Sequence, residues 1–262
     1  MIIDTHIHLD NKQYYEDIDL VIERALENGV KGFLIPGADF NDLPQAINLA
    51  EKYDEVFFAV GIHPYDIEQY DETIMEKYVN HPKCIAIGEC GLDYFRLPED
   101  EKEKKENIAK QKEVFISQIE FAKKVKKPLI VHIRDASNDS RQILMDYNAK
   151  EVGGVLHCYN ASEHLLVLAE HNFYFGIGGV ITFKNAKKLV EVLAKIPKEK
   201  LLIETDGPYL TPHPFRGKRN EPLYTNNVAE KIAELLDLSK EEIEKITTTN
   251  AVTLFKQFST II

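Results

Sequence analysis

Apolar runs of strand length alternate with segments of helical period along this chain, and several of the runs close on a histidine or a carboxylate. In a strand, successive side chains point to opposite faces. In the first run, Asp4-Thr5-His6-Ile7-His8, alternation puts His6 and His8 on one face with Asp4, and Ile3, Thr5 and Ile7 on the other. Four later runs end on Glu89 (from Ile85), His132 (from Leu129), His157 (from Val155) and Asp206 (from Leu202). Candidate ligands carried at the C-terminal ends of successive strands suggest the top of a barrel.

The runs number eight and read Met1–Leu9, Lys31–Gly37, Val56–Pro64, Cys84–Tyr94, Pro128–Arg134, Gly153–Tyr159, Phe173–Gly179 and Leu201–Tyr209. Helical segments fall at about Asp19–Asn28, Asp42–Tyr53, Thr73–Asn80, Asn107–Lys126, Ala136–Tyr147, Ser162–His171, Asn185–Ile196 and Thr225–Leu236, with a last one from Lys240. Asp42 and Ser162 suit N-caps, Asn28-Gly29 suits a helix stop, and the residue before Pro128 avoids the α region. The pattern predicts an α/β fold, a (β/α)8 TIM barrel, as one domain over residues 1–262. A doubly wound open sheet is the competitor. No Gly-x-Gly-x-x-Gly turn follows the first strand, and an open sheet would not bring the ligands together. The charge run Glu99 to Lys112 mixes both signs and reads as an exposed lead-in to the fourth helix, with a flexible flap as the lesser alternative.

Composition narrows the function classes. Hydrophobic residues make up 44% of 262, enough for a large core, and no apolar run approaches the roughly 20 residues needed to span a bilayer. No basic leader precedes the first strand, so the expectation is a soluble, cytoplasmic protein with no membrane contact and no obligate protein partner. Cys84, Cys90 and Cys158 lack Cys-x-x-Cys spacing and support neither disulfides nor a thiolate zinc site. A formal net charge of −11 argues against a wide duplex-binding face. It leaves room for a small phosphate-bearing substrate or a single-strand end, because bound cations supply local positive charge.

A lone histidine in a core strand is usually a hydrogen-bonded core residue, but the joint pattern of His6, His8, Glu89, His132, His157 and Asp206 overturns that reading. Imidazole with carboxylate suits zinc, manganese or iron, and six ligands exceed the three that a single catalytic zinc keeps. Two divalent metals follow (Zn, Mn or Mg), with one carboxylate between them. Glu89 is the best bridge, since it lies on the strand between the His6/His8 and the His132/His157 groups.

From Ile3 to Pro222 the chain resembles the TatD family of metal-dependent hydrolases. The resemblance is carried by Asp4-Thr5-His6-Ile7-His8-Leu9, Gly61-Ile62-His63-Pro64, Gly88-Glu89-Cys90-Gly91-Leu92-Asp93-Tyr94 and His132-Ile133-Arg134-Asp135-Ala136, and further on by Gly154-Val155-Leu156-His157-Cys158-Tyr159, Glu204-Thr205-Asp206-Gly207-Pro208-Tyr209-Leu210 and Arg219-Asn220-Glu221-Pro222. It implies that His6, His8, Glu89 and Asp206 hold one metal and Glu89, His132 and His157 the other. It also implies phosphodiester hydrolysis, since members are described as DNases. Two positions depart from the family pattern. Cys90 stands where an aliphatic residue is common, and Phe95, just above the site, stands where a histidine is common.

Around these ligands, His63 is a candidate phosphate contact, against packing beneath a loop. Asp93 and Tyr94 are candidates to orient a ligand imidazole. Glu204 is inward by parity and needs a partner, so a hydrogen bond to a ligand histidine or a buried arginine fits it better than catalysis. Arg134 and Arg219 are candidate phosphate binders, with surface ion pairs as their ordinary use. The loop Thr211–Pro222, with His213, Arg216, Lys218 and Arg219, is the one short basic cluster near the expected mouth. His81, His164 and His171 read as surface or helix-end residues.

These observations favour a two-metal hydrolase of nucleic-acid phosphodiesters, acting on single-stranded DNA ends, with Asp206 as general base and Glu89 as bridge. Ester hydrolysis on aminoacyl-tRNA would use the same metal chemistry, and a catalytically silent metal-binding barrel is the alternative from another class. A cyclic-amide hydrolase fits less well, because Glu89 and no lysine ends the fourth strand.

Overall fold

In the computed structural model, which describes residues 1–262, all eight expected strands form but most are shorter than their apolar runs. They are β1 (Ile2–Asp4), β2 (Val30–Ile35), β3 (Val56–Val60), β4 (Cys84–Asp93), β5 (Leu129–Arg134), β6 (Gly154–Leu156), β7 (Phe173–Ile177) and β8 (Leu201–Ile203). Each pairs in parallel with the next in chain order. The ring closes past the strand ends, where Thr5 N–H donates to Ile203 O (3.2 Å), Asp206 N–H to His6 O (2.9 Å) and His8 N–H to Gly207 O (2.9 Å). The fold is the (β/α)8 barrel, and no helix is long and apolar enough to cross a membrane.

Every strand contributes to the barrel interior, through Ile3, Leu34, Phe57, Ile85, Ile130, Val155, Tyr174 and Leu202. Phe255 and Phe258, beyond the last helix, join this cluster, and Phe258 packs directly over Gly32. A plugged barrel leaves the opposite, C-terminal rim for chemistry. The larger core lies between strands and helices.

The helices are α1 (Ile18–Glu27), α2 (Leu43–Lys52), α3 (Glu72–Tyr78), α4 (Glu101–Val125), α5 (Ser137–Asp146), α6 (Lys187–Leu193), α7 (Thr225–Leu236) and α8 (Lys240–Leu254). The β6–β7 connection is a 3₁₀ segment, Glu163–His171. Asp42 and Ser162 do occupy N-cap positions, yet neither side chain makes a capping bond. Asp100 does so, accepting from Lys102 N–H and Glu103 N–H, and this starts α4 six residues before the expected Asn107. The charged run is therefore the solvated first turns of a helix, neither a lead-in nor a flap.

Strict alternation fails in β4. Phe58 pairs with Cys84 but Ala59 with Ala86, and Ile87 pairs with Leu129 but Cys90 with Val131. Each step inserts one extra residue in β4, as a bulge does. Two insertions cancel in parity, so Glu89 still faces inward and Cys90 outward. Gly91 is required beside them, because at φ +137 a Cβ would lie 2.0 Å from His132 O.

Candidate metal centre

Glu89 sits between two groups of donor atoms. Its Oε1 lies 2.9 Å from His157 Nε2 and 3.0 Å from His132 Nδ1, and those two nitrogens are 3.2 Å apart. Its Oε2 lies 3.4 Å from His6 Nε2 and 3.8 Å from His8 Nε2. Asp206 Oδ1 closes the second group, 3.7 Å from both His6 Nε2 and His8 Nε2. All six predicted ligands converge, and the carboxylate predicted as bridge is central.

The donor types suit divalent cations, and the His6/His8/Glu89/Asp206 group also has the spacing of ligands about one, whereas the Glu89, His132 and His157 atoms, 2.9–3.2 Å apart, lie at hydrogen-bond distance. Around a four-coordinate metal with ligand bonds of about 2.0–2.2 Å, neighbouring ligand atoms are roughly 3.3–3.6 Å apart. The spacing around His6, His8, Glu89 and Asp206 is close to that and too long for hydrogen bonding. His6 is fully buried, and neither ring nitrogen has a hydrogen-bond partner. Buried polar atoms are seldom left so unless something else satisfies them. Three donor triads recur here: His6/His8/Asp206, His6/Glu89/His157 and His63/Asp93/His132. We take the third as support for a ligand, because His132 Nε2 already hydrogen-bonds Asp93 Oδ2 at 2.9 Å and only Nδ1 faces Glu89.

Electrostatics agree with a mixed site. Burial opposes the Glu89 carboxylate, but the adjacent His157 and His6 outweigh it and hold its pKa well below the ordinary range. Burial likewise opposes a charged His157, yet Glu89 and Glu204 on either side raise its pKa well above 6.5, so that without a metal it holds a proton that a bound cation would have to displace. His8 goes the other way, pushed down to about 3 by burial and then by His6, so its imidazole stays neutral as a metal ligand must. Burial also holds His63 neutral, at about 3. Its Nδ1 accepts from Tyr65 N–H (3.1 Å), so the proton is on Nε2, which points into the site 3.7 Å from Glu89 Oε1. His63 therefore presents a donor, as a phosphate contact would.

Of the remaining candidates, Asp93 orients His132 as expected. Tyr94 does not orient a ligand: its hydroxyl donates to Asp139 on α5 at 2.8 Å, because one step along β4 turns the side chain to the helical layer. Glu204 is fully buried beneath His157, its Oε1 3.6 Å from His157 Nδ1 and accepting from Cys158 N–H. Its carboxylate fills the space a Cβ at Gly176 would take. The two arginines part ways. Arg134 is exposed, with its guanidinium carbon over Phe95, 3.6 Å from the ring centroid. Arg219 is committed elsewhere, with nitrogens 2.7 Å from both Asp17 oxygens and 2.8 Å from Glu221 Oε1. The rest of its loop is similarly self-engaged: Arg216 stacks on Phe183 at 3.9 Å and donates to Thr211 O.

Several positioning residues escape a reading by strand parity. Gln118 on α4 grips both sides of Ile62, accepting its N–H (2.9 Å) and donating to its O (3.0 Å), next to His63. Gln111, seven residues earlier on the same face, does the same for Asp93 at 2.9 Å each. Two glutamines at i, i+7 among apolar α4 residues were the available signal. Asp4 accepts from Thr205 N–H (3.0 Å) and Thr205 Oγ1 (2.6 Å), fastening β1 to β8 between His6 and Asp206.

Comparison with known proteins gives the chain a family. Residues 3–256 match the TatD related DNase family. The chain is 46% identical to the metal-dependent hydrolase YabD of Bacillus subtilis, covering 98% of this chain and 99% of that one. It is 34% identical to the 3'-5' ssDNA/RNA exonuclease TatD of Salmonella typhimurium, over 97% and 98% of the two chains. The TatD homologue YjjV of Escherichia coli superposes with a TM-score of 0.87 at 28% identity, covering 97% of this chain and 98% of that one. The candidate ligands thus lie in a match spanning nearly the whole sequence, and the chain belongs to the TatD related DNase family of metal-dependent hydrolases.

Proposed function

We propose that this hydrolase cleaves phosphodiester bonds of nucleic acid at single-stranded ends, with two divalent cations (Zn, Mn or Mg) at the barrel top. The observation that carries the reading is Glu89, whose two oxygens face separate donor groups. His6, His8, Glu89 and Asp206 would hold one cation, and Glu89, His132 and His157 the other. Such a pair supplies Lewis acidity toward a phosphoryl oxygen and makes water acidic enough to attack near neutral pH.

The chain's own residues do the rest. Asp206 is the ligand carboxylate open to the mouth, with 16% of its side chain exposed against 4% for Glu89, so it is placed to take the proton of the attacking water. His63 Nε2–H donates to a non-bridging phosphate oxygen from the opposite side of Glu89. Arg134 has no carboxylate partner and is free to meet a neighbouring phosphate. Relatives named as single-strand exonucleases support the choice of substrate. We assign the activity to the cytoplasm, with no obligate protein partner.

The test is a metal-supplemented panel of end-labelled single-stranded DNA, double-stranded DNA, abasic DNA and aminoacyl-tRNA. Preferred turnover of single-stranded DNA is expected. Turnover confined to aminoacyl-tRNA, or none with any metal, would overturn the reading.

A further inference from the structure

Three large aromatic side chains stand exposed on the rim around the ligand cluster: Phe95 (56% exposed), Tyr209 (51%) and Tyr65 (38%). Exposed rings are costly to leave in water, and here they are tied to the ligands. Asp93 holds His132 through Oδ2 and, through Oδ1, accepts the N–H of Phe95 at 2.9 Å. Tyr65 packs edge-on against His63, 4.8 Å between centroids, and His63 packs against His132 at 4.4 Å. On the other side, Tyr209 stands 6.3 Å from the His8 ring. Its hydroxyl is fixed by Asn11 Nδ2 (3.3 Å), and its N–H donates to Asp206 O (3.0 Å).

Phe95 has a further feature. The Arg134 guanidinium covers one face of its ring, a cation–π contact that fixes the ring without neutralising the arginine. The remaining ring surface is open to solvent.

We propose that Phe95 and Tyr209 are base-stacking seats on opposite sides of the metal centre, so that a substrate strand is held by its unpaired bases with the scissile phosphate between them. The inference rests on the phosphodiesterase reading above and adds what sets strand preference. A flat aromatic accepts any base on its π-face, whereas paired and stacked bases in a duplex offer no such face. Preference for single strands then comes from the rim aromatics and not from an extended basic groove, against which the net charge of −11 also argues.

The experiment uses a short oligonucleotide with 2-aminopurine near its 3′ end, whose fluorescence is quenched by stacking on an aromatic ring. Binding is followed on an Asp206→Asn background with Mg²⁺, so that turnover does not interfere. Quenching on binding is expected, with a loss of affinity of about 5- to 30-fold in Phe95→Leu and in Tyr209→Leu, each at a different base position. Phe95→Tyr should restore affinity, and the loss in Phe95→Leu should persist at raised salt. In parallel, the native chain and the Leu variants without the Asp206 change are assayed on single-stranded DNA and on bis(4-nitrophenyl) phosphate, which has no bases. A raised KM on DNA with unchanged rates on the small diester is the expected split. Leu variants that bind and quench like the parent, while the native chain cleaves DNA, would overturn the stacking seats alone. A native chain that cleaves neither substrate would overturn both readings.

Discussion

Asp93 Oδ2 lies 2.9 Å from Nε2 of His132, and that contact decides which nitrogen of the ring faces Glu89. With its proton held at Nε2 by the carboxylate, His132 offers the lone pair of Nδ1 to the centre. Asp93→Ala should therefore lower divalent-metal affinity about 10- to 100-fold while leaving the barrel folded. Isothermal titration with Zn²⁺ or Mn²⁺ reads this directly, and unchanged affinity would remove Asp93 from the site.

Asp206 and Glu89 are both central carboxylates, but only Asp206 opens appreciably to the mouth. Asp206→Asn should cost about 10²- to 10⁴-fold in turnover at matched metal loading, the range a general base contributes. Burial raises the Asp206 pKa, so the charged carboxylate is disfavoured in the folded apoprotein and its loss should not lower the melting temperature. Near-native turnover would shift the base role elsewhere.

The eight strands, and the inward convergence of the six candidate ligands, were legible from a period of two, although Glu89 and His132 lie within β4 and β5 and not at their ends. Where that period broke, the outcome depended on features the pattern does not carry. Glu89 reached the interior only because β4 has two cancelling insertions, and Ile3 sits in the barrel interior although alternation set it opposite His6 and His8. Tyr94 failed for the opposite reason: it obeyed alternation and so faced α5. Arg219 could not be separated from Arg134 by sequence, because its partners Asp17 and Glu221 are brought to it by loop geometry.

Gln111 joins α4 to the end of β4 with two hydrogen bonds to the Asp93 backbone. Gln111→Leu would leave a buried N–H and a buried carbonyl without partners, at about 1–3 kcal/mol for each such group. A loss of about 2–4 kcal/mol in urea denaturation is expected, together with weaker metal binding because Asp93 then drifts. Stability loss without any change in metal affinity would confine Gln111 to a packing role.

Cys84 gives a pH dependence remote from the metal centre. Burial, partly offset by Lys127, raises its thiol from 9.0 to about 12. The folded state therefore keeps a proton that the unfolded state has lost between those values, and stability must fall as pH rises from about 9 towards 12. Below pH 9 the effect is absent. The Cys84→Ala variant, which has no thiol, should lack this component, so the difference in denaturation free energy between variant and parent should change above pH 9, and native Cys84 should resist iodoacetamide there. A constant difference would mean that the thiol is not titrating as a buried group.

Arg134 and Arg219 give the sharpest contrast in substrate grip. Arg134 is exposed beside the ligand cluster with no carboxylate partner, so Arg134→Ala should weaken single-stranded DNA binding and lower the salt slope by about one unit. Arg219 is bound in a forked geometry to Asp17 and also reaches Glu221, so little of its charge is left for a phosphate. Arg219→Ala should act on the loop it anchors, seen as lower thermal stability and faster proteolysis at Thr211–Pro222, with the salt slope unchanged. Binding measured from about 50 to 200 mM salt, the range over which phosphate contacts separate, decides the matter. If Arg219→Ala lowers the slope and Arg134→Ala does not, the phosphate lies over the β8–β1 side of the mouth and the assignment of the two arginines must be exchanged.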